Sequence, residues 1–150
     1  MAETILITGA DGYIGSMICD RLLAQTDAHL LLWVRSRDAE EFASKEAAIR
    51  AARADVLDRI SLHTGNLTDA EPFASVDPAT VDRIIHGAAV TAFNVAEDVA
   101  NAINRDGTRK MLAFARRCPN LKRFCYVSTA YAAGLAQGAV AEQPLLNHCP

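Results

Sequence analysis

The sequence predicts an α/β fold built on a doubly wound parallel sheet, and three observations predict it. Short apolar runs alternate along the chain with longer segments of helical periodicity. The first run passes directly into glycines at positions 9, 12 and 15, where an amphipathic segment begins. The second run, His29-Leu30-Leu31-Leu32-Trp33-Val34, is continuously apolar, as a strand covered on both faces must be.

Composition limits the function classes. A chain of 150 residues is one domain by size. With 51% hydrophobic and 22% charged residues it is of ordinary globular composition. A net charge of -3 and a pI near 5.8 carry no polyanion signal, so no nucleic-acid partner is expected. No apolar run is long enough for a membrane span. Met1-Ala2-Glu3-Thr4 has no basic region ahead of the first apolar run, so no signal peptide and a cytoplasmic protein are expected. Cys19, Cys118, Cys125 and Cys149 lie far apart and are read as reduced, small hydrophobes. His29, His63, His86 and His148 are equally scattered, so no metal site is expected.

The elements follow in order. Thr4 to Ile7 is a strand, and Gly9-Ala10-Asp11-Gly12-Tyr13-Ile14-Gly15 is its turn into a helix. Gly9 lets the chain leave the strand tightly. Gly12 removes a side chain where a pyrophosphate would approach, and Gly15 lets the helix pack closely. Free amides at the helix start would face the phosphates, so Asp11, Tyr13 and Ile14 join the glycines as candidate cofactor contacts. The helix runs to about Gln25, with Ile14, Met17, Ile18 and Leu22 expected on the sheet.

His29 to Val34 is the second strand, and Arg35-Ser36-Arg37-Asp38 follows it. In dinucleotide-binding units the end of this strand meets the adenosine ribose, about twenty residues beyond the glycines. An acidic residue there suits a free 2′-hydroxyl, and an arginine suits a 2′-phosphate. Arg35, with Arg37 beside it, therefore favours NADP over NAD. Asp38 is placed to cap a helix running to about Val56, with Phe42, Ile49, Ala52 and Val56 buried. Lys45, Glu46, Arg50, Arg53 and Asp55 are assigned to its solvated face.

Ile60 to Thr64 is the third strand, leading to Asn66 and Leu67, which either border an adenine or form a simple Asn turn. Pro72 to Val76 is a short helical turn, and Asp77-Pro78 a loop. Arg83 to His86 lies in the fourth strand, whose exit through Gly87, Ala88 and Ala89 leaves room for a ligand. His86 is read as a packed histidine bonded to backbone rather than as a proton-transfer group. A helical region from about Val95 to Arg117 repeats Val99, Ile103, Met111 and Phe114, with Gly107 on the same face. Gly107 is unfavourable there unless close packing requires it. Phe124 to Val127 is the fifth strand, with Ser128 and Thr129 at the chemically favoured C-terminal edge of the sheet. The expected strand order is 3-2-1-4-5, that of a Rossmann-type sheet.

Six stretches form a ladder: TGADGYIG, VR, GNLTD, DRIIHGAA, N-x-x-G-T and YVSTAYAAG. Together they resemble the extended short-chain dehydrogenase/reductases. Within that superfamily the chain is most similar to the thioester reductase and fatty acyl-CoA reductase group, with its male-sterility type of NAD-binding domain. The pairing of HGAAVTAF with VSTAY is the more specific part. The resemblance implies that Gly9, Gly12 and Gly15 hold the pyrophosphate and that Arg35 marks NADP use. Asn66 and Leu67 border the adenine, although the family carries aspartate at position 66. Ala88 and Ala89 lie along the cofactor, and Asn104 supports the strand loops. Thr129, with Ser128 as its neighbour, matches the hydroxyl member of a catalytic Ser/Thr-Tyr-Lys set.

The Tyr-x-x-x-Lys pair of that set is absent. Tyr13, Tyr126 and Tyr131 are followed four positions later by Met17, Ala130 and Leu135. The apolar end Pro144-Leu145-Leu146-Asn147-His148-Cys149-Pro150 has no closing element. Residues 1–150 are therefore expected to be the NADP-binding part of a longer reductase domain, without its substrate-binding part. The resemblance implies NADPH-dependent reduction of a small-molecule or carrier-bound acyl thioester to aldehyde or alcohol. The alternatives are a nucleotide-sugar epimerase or dehydratase, which more often holds NAD, and a non-catalytic NADP-binding or sensing module. Monomer and homodimer both remain open.

Overall fold

The computed structural model describes residues 2–129, 138, 139 and 141. Tyr131, Leu135, His148, Cys149 and the segment 144–150 lie outside the described residues. Five parallel strands, Thr4–Thr8 (β1), His29–Arg35 (β2), Ile60–Gly65 (β3), Arg83–His86 (β4) and Arg123–Tyr126 (β5), form one sheet in the order β3-β2-β1-β4-β5. This is the Rossmann-type order expected from the alternation of elements. The helices are Tyr13–Gln25 (α1), Ala39–Ala52 (α2), Glu97–Ala100 (α3) and Gly107–Arg117 (α4).

Period-two alternation along β1 divides the core between the two faces of the sheet. Ile5 and Ile7 join Leu30, Leu32 and Val34 against Cys19 and Leu23 of α1 and Ile49 of α2. Leu6 joins Leu31, Trp33 and Ile84 against Met111 and Phe114 of α4, with Phe73 and Val76 closing the edge. Trp33, Phe73 and Phe114 form a ladder of rings, with Phe73 in the middle and 5.3 Å from each of the other two between centroids. Met111 and Phe114 each contribute about 1.5–3 kcal/mol by burial. Cys19 is fully buried and burial pushes its thiol up to about 11, which keeps it an unreactive hydrophobe.

Several elements differ from expectation, each for a packing reason. In α1 the buried residues are Gly15, Cys19 and Leu23, while Ile14 and Met17 are 56% and 57% exposed. The helix is turned by the contact at Gly15. A Cβ there would lie 2.0 Å from the Gly9 carbonyl oxygen, so Gly15 packs on the turn itself rather than on the sheet. Helix α2 stops at Ala52, and beyond Arg53 a tighter helical stretch, Ala54–Arg59, follows with a kink inside it at Val56. Ala52 is exposed, and Ile49 carries the buried contact of α2. Pro72 to Val76 is a series of turns, whereas Pro78–Thr80 forms a short helical turn capped by Asp77. The long helical region is α3, a six-residue π segment Asn101–Asp106, and α4 in sequence. The π segment widens the helix and changes its register, and Val99 is left 42% exposed. Gly107 has its packing reason, since a Cβ there would lie 2.9 Å from the Leu67 Cβ. Among the described residues, no helix is long and apolar enough to cross a membrane.

The fit at Gly15 gives a direct test. Gly15→Ala is expected to lower unfolding stability by at least ~2 kcal/mol, because the opposing atom is backbone and cannot rotate away. Urea unfolding of the two chains measures it, and an equal midpoint would mean that the turn is not seated as described.

Candidate functional site

A cleft of about 600 Å³ opens at the C-terminal ends of β1, β2 and β4. Its wall is the glycine turn. Gly9 has φ +71°, the left-handed region that favours glycine, and a Cβ there would lie 3.0 Å from Gly87 and from the Ala88 nitrogen. Gly12 is the N-cap of α1 and supplies no side-chain hydrogen bond to it. The first helical amides therefore face the cleft without a protein cap.

The cleft brings together most of the candidate cofactor residues. Gly9, Asp11, Gly12, Tyr13, Ile14, Gly15, Arg35, Asn66, Leu67, Ala88 and Ala89 all line it. Tyr13 is 82% exposed at its mouth. Asn66 forms the Asn turn, its Oδ1 accepting the Thr68 amide at 3.1 Å, and the same residue lines the cleft. The Asn66 loop is held from below by Lys110, whose Nζ donates to the carbonyls of Leu67, Thr68 and Asp69 at 3.0, 3.1 and 2.6 Å.

Other candidates lie elsewhere. Arg37 is not a cleft residue. Its Nε donates to Glu41 Oε2 at 2.8 Å on the adjoining surface. That hydrogen bond holds the Glu41 carboxyl down to about 2. Asn104 is also outside the cleft wall. Its Oδ1 accepts the Val90 amide at 2.8 Å and its Nδ2 donates to the Val90 carbonyl at 2.9 Å, so it grips the loop that follows β4. Ser128 and Thr129 follow β5 and are exposed, beyond the residues that line the cleft.

Lys45 is the residue that sequence reasoning missed. Instead of facing solvent it lines the cleft, and its Nζ donates to Asp11 Oδ2 at 2.8 Å and to the Arg35 carbonyl at 2.6 Å. Glu41 Oε1 lies 3.5 Å away. The cleft mouth thus carries two cations, Arg35 and Lys45, and one carboxylate, Asp11. The sole signal in the sequence was a lysine two turns into α2, which its solvated neighbours obscured.

His86 is packed as expected, but its partners are hydroxyls rather than backbone. Its Nδ1 lies 2.7 Å from Thr8 Oγ1 and its Nε2 3.3 Å from Thr108 Oγ1. The ring stacks on Tyr126 at 5.9 Å. Burial pushes the imidazole down to about 4, so it is neutral at pH 7.

Comparison with known proteins agrees with this fold. The model of an NAD-binding family described as male sterility protein matches residues 7–148. Fatty acyl-CoA reductase 2, chloroplastic, of Arabidopsis thaliana is 32% identical over 170 residues, covering 95% of this chain and 27% of that protein. The terminal R domain from the myxalamid PKS-NRPS biosynthetic pathway superposes with a TM-score of 0.75 at 26% identity, over 97% of this chain and 40% of that one. The reductase (R) domain of a non-ribosomal peptide synthetase from Mycobacterium tuberculosis gives 0.70 at 26% identity, over 91% and 35%. A UDP-glucuronic acid 4-epimerase from Bacillus cereus, at 22% identity and a TM-score of 0.68, shares the fold. The chain spans less than half the length of each of these relatives.

The burial of His86 sets a pH dependence. The unfolded ring titrates near 6.5 and the folded one near 4, so below 6.5 the unfolded state binds the extra proton. Stability is therefore full above pH 6.5 and falls as the pH drops toward 4, by at most about 3 kcal/mol from this group. Urea midpoints across that window, compared with those of His86→Asn, measure the loss. Parallel pH profiles for the two chains would contradict it.

Proposed function

Since the chain belongs to the male sterility protein family, we propose that residues 1–150 form the NADP-binding part of an extended short-chain dehydrogenase/reductase. The reaction is NADPH-dependent reduction of an acyl thioester, held on CoA or on a carrier protein, to an aldehyde or alcohol. The observation that carries this reading is the cleft, with an uncapped helix start, a wall of glycine backbone and two cations at its mouth. The fatty acyl-CoA reductase and R-domain relatives support the substrate class.

The residues present fit such a cofactor. A Cβ added at Gly12 would meet the Gly9 oxygen at 3.2 Å and, its chain neighbours aside, no other atom of the described residues within 4 Å, which leaves its other side for a pyrophosphate. The amides of Tyr13, Ile14 and Gly15 receive that group, helped by the positive end of the α1 dipole. Arg35 and Lys45 take the 2′-phosphate, for which Lys45 exchanges its contact with Asp11. Asn66 and Leu67 border the adenine, and Ala88 and Ala89 leave the strand ends open along the length of the cofactor. When bound, the nicotinamide supplies the hydride to the thioester carbonyl carbon. The oxygen then gains negative charge and needs a donor, for which the Thr129 hydroxyl is proposed, with Ser128 as its alternate. The proton source would be a Tyr-x-x-x-Lys pair, which residues 1–150 do not contain. Binding without turnover is accordingly the behaviour proposed for this chain by itself.

Trp33 is the single tryptophan and lines the cleft, so its fluorescence reports binding. NADP is expected to bind more tightly than NAD. Arg35→Ala or Lys45→Met should weaken NADP about tenfold while leaving NAD within about threefold. Equal losses for both cofactors would remove the 2′-phosphate assignment, and no binding of either would remove the reading altogether. Gly12→Ala should change the unfolding free energy by no more than about 1 kcal/mol yet lose most affinity for both. A fully retained affinity would place the pyrophosphate elsewhere.

A further inference from the structure

The four polar groups between β1, β4 and the π segment are tied together so that each proton has only one possible place. Thr108 Oγ1 lies 2.6 Å from the Asn104 carbonyl oxygen, which can only accept, so the Thr108 hydroxyl donates there. Its oxygen is then an acceptor for His86 Nε2 at 3.3 Å, so Nε2 carries the ring proton. At the other end, Thr8 Oγ1 accepts the Ala88 amide at 3.2 Å and shares the Gly87 amide, also at 3.2 Å, with the Thr8 carbonyl. With its lone pairs taken by two N–H groups, the Thr8 hydroxyl donates to His86 Nδ1 at 2.7 Å. The two ends of the chain independently demand the same tautomer, neutral with the proton on Nε2.

We infer that His86 is a positioning residue for the cleft: its Nε2–H tautomer completes a one-way line of hydrogen bonds from the amides of Gly87 and Ala88 to the carbonyl of Asn104 in the π segment. Asn104 closes the circuit. Its carbonyl receives the Thr108 hydroxyl, and its side chain grips both backbone groups of Val90. The loop 87–90, which forms one side of the cleft, is thereby held at both ends through the same turn of the π segment. The other wall bears on this loop directly, since Gly9 leaves no room for a side chain against Gly87 and Ala88. A ring carrying its proton on Nδ1 would present a donor to a hydroxyl that already accepts twice. The orientation of the two amides would then be lost without any change at the cleft surface.

The tautomer and the amide exchange rates test this independently of any ligand. The effect on affinity alone rests on the reading of the cleft as a dinucleotide site. Nitrogen-15 spectra of the histidine side chains at pH 7 are expected to give a protonated Nε2 and an accepting Nδ1 for His86, and the opposite assignment overturns the inference. Thr108→Val keeps the β-branched shape at a position that is not among the residues lining the cleft. It is expected to raise amide hydrogen exchange at Gly87 and Ala88 about tenfold or more, while exchange in β2 stays as in the parent. Unchanged exchange at those two amides overturns the inference. His86→Asn, whose Oδ1 can stand where Nδ1 stood, should retain NADP affinity within about threefold, whereas His86→Phe should lose about tenfold or more. Equal affinity in both variants means the ring acts by bulk alone. If the parent binds no dinucleotide while the tautomer and exchange results hold, the proposed function fails and the positioning role stands.

Discussion

Gly9 is where three stretches of backbone meet with no side chain between them. The start of α1 bears on its carbonyl at Gly15, and the exit of β4 bears on its α-carbon at Gly87 and Ala88. Its positive φ turns the chain off β1 in the space of one residue. The helix start, the strand ends and the loop after β4 thereby enclose one cleft instead of standing as separate surfaces. The angle at which α1 enters, and the rotation that buries Cys19 and Leu23 in place of Ile14 and Met17, follow from the same contact.

Electrostatics at the cleft mouth add a second constraint. Lys45 spans from α2 to the glycine turn and to the end of β2, joining Asp11 and the Arg35 carbonyl. The ammonium is partly exposed and its attachments are exchangeable, so they fix a place for positive charge more than they add stability. On the opposite side, Lys110 of α4 gathers three successive carbonyls of the Asn66 loop, and Gly107 admits Leu67 against the same helix. The two lysines thus pin two of the loops that flank the cleft, from helices on opposite faces of the sheet.

How much of this was legible in the sequence depended on the range of the interaction. The strands, their order, the Asp38 cap and the glycine turn are local patterns, and the chain states them plainly: the Glu41 amide donates to Asp38 Oδ1 at 2.8 Å, as the residue types required. Arg35 was legible because strand ends have a fixed place relative to the glycines. Lys45 was not, because its partner Asp11 lies 34 positions away and nothing in α2 alone singles it out. Arg37 looked equivalent to Arg35 by type, but a glutamate four residues on is a nearer partner than the cleft. The partners of His86 were hidden for the same reason as Lys45, since Thr8 and His86 meet only through β1–β4 pairing. The π segment left no periodic signature, because six residues are too few to separate it from an ordinary helix.

That segment has a consequence for descent. A π turn holds one residue more than the α-helix around it would need, as a single inserted codon would produce. Removing one residue from Asn101–Asp106 would restore a regular helix between the same flanks, but residues inside the segment would turn by about 100° relative to those flanks. Asn104 and Thr108 could not then both keep their bonds, to Val90 and to His86. Homologues that retain both side chains should accordingly show no gap across this stretch, and those that have lost the extra residue should have changed both partners together.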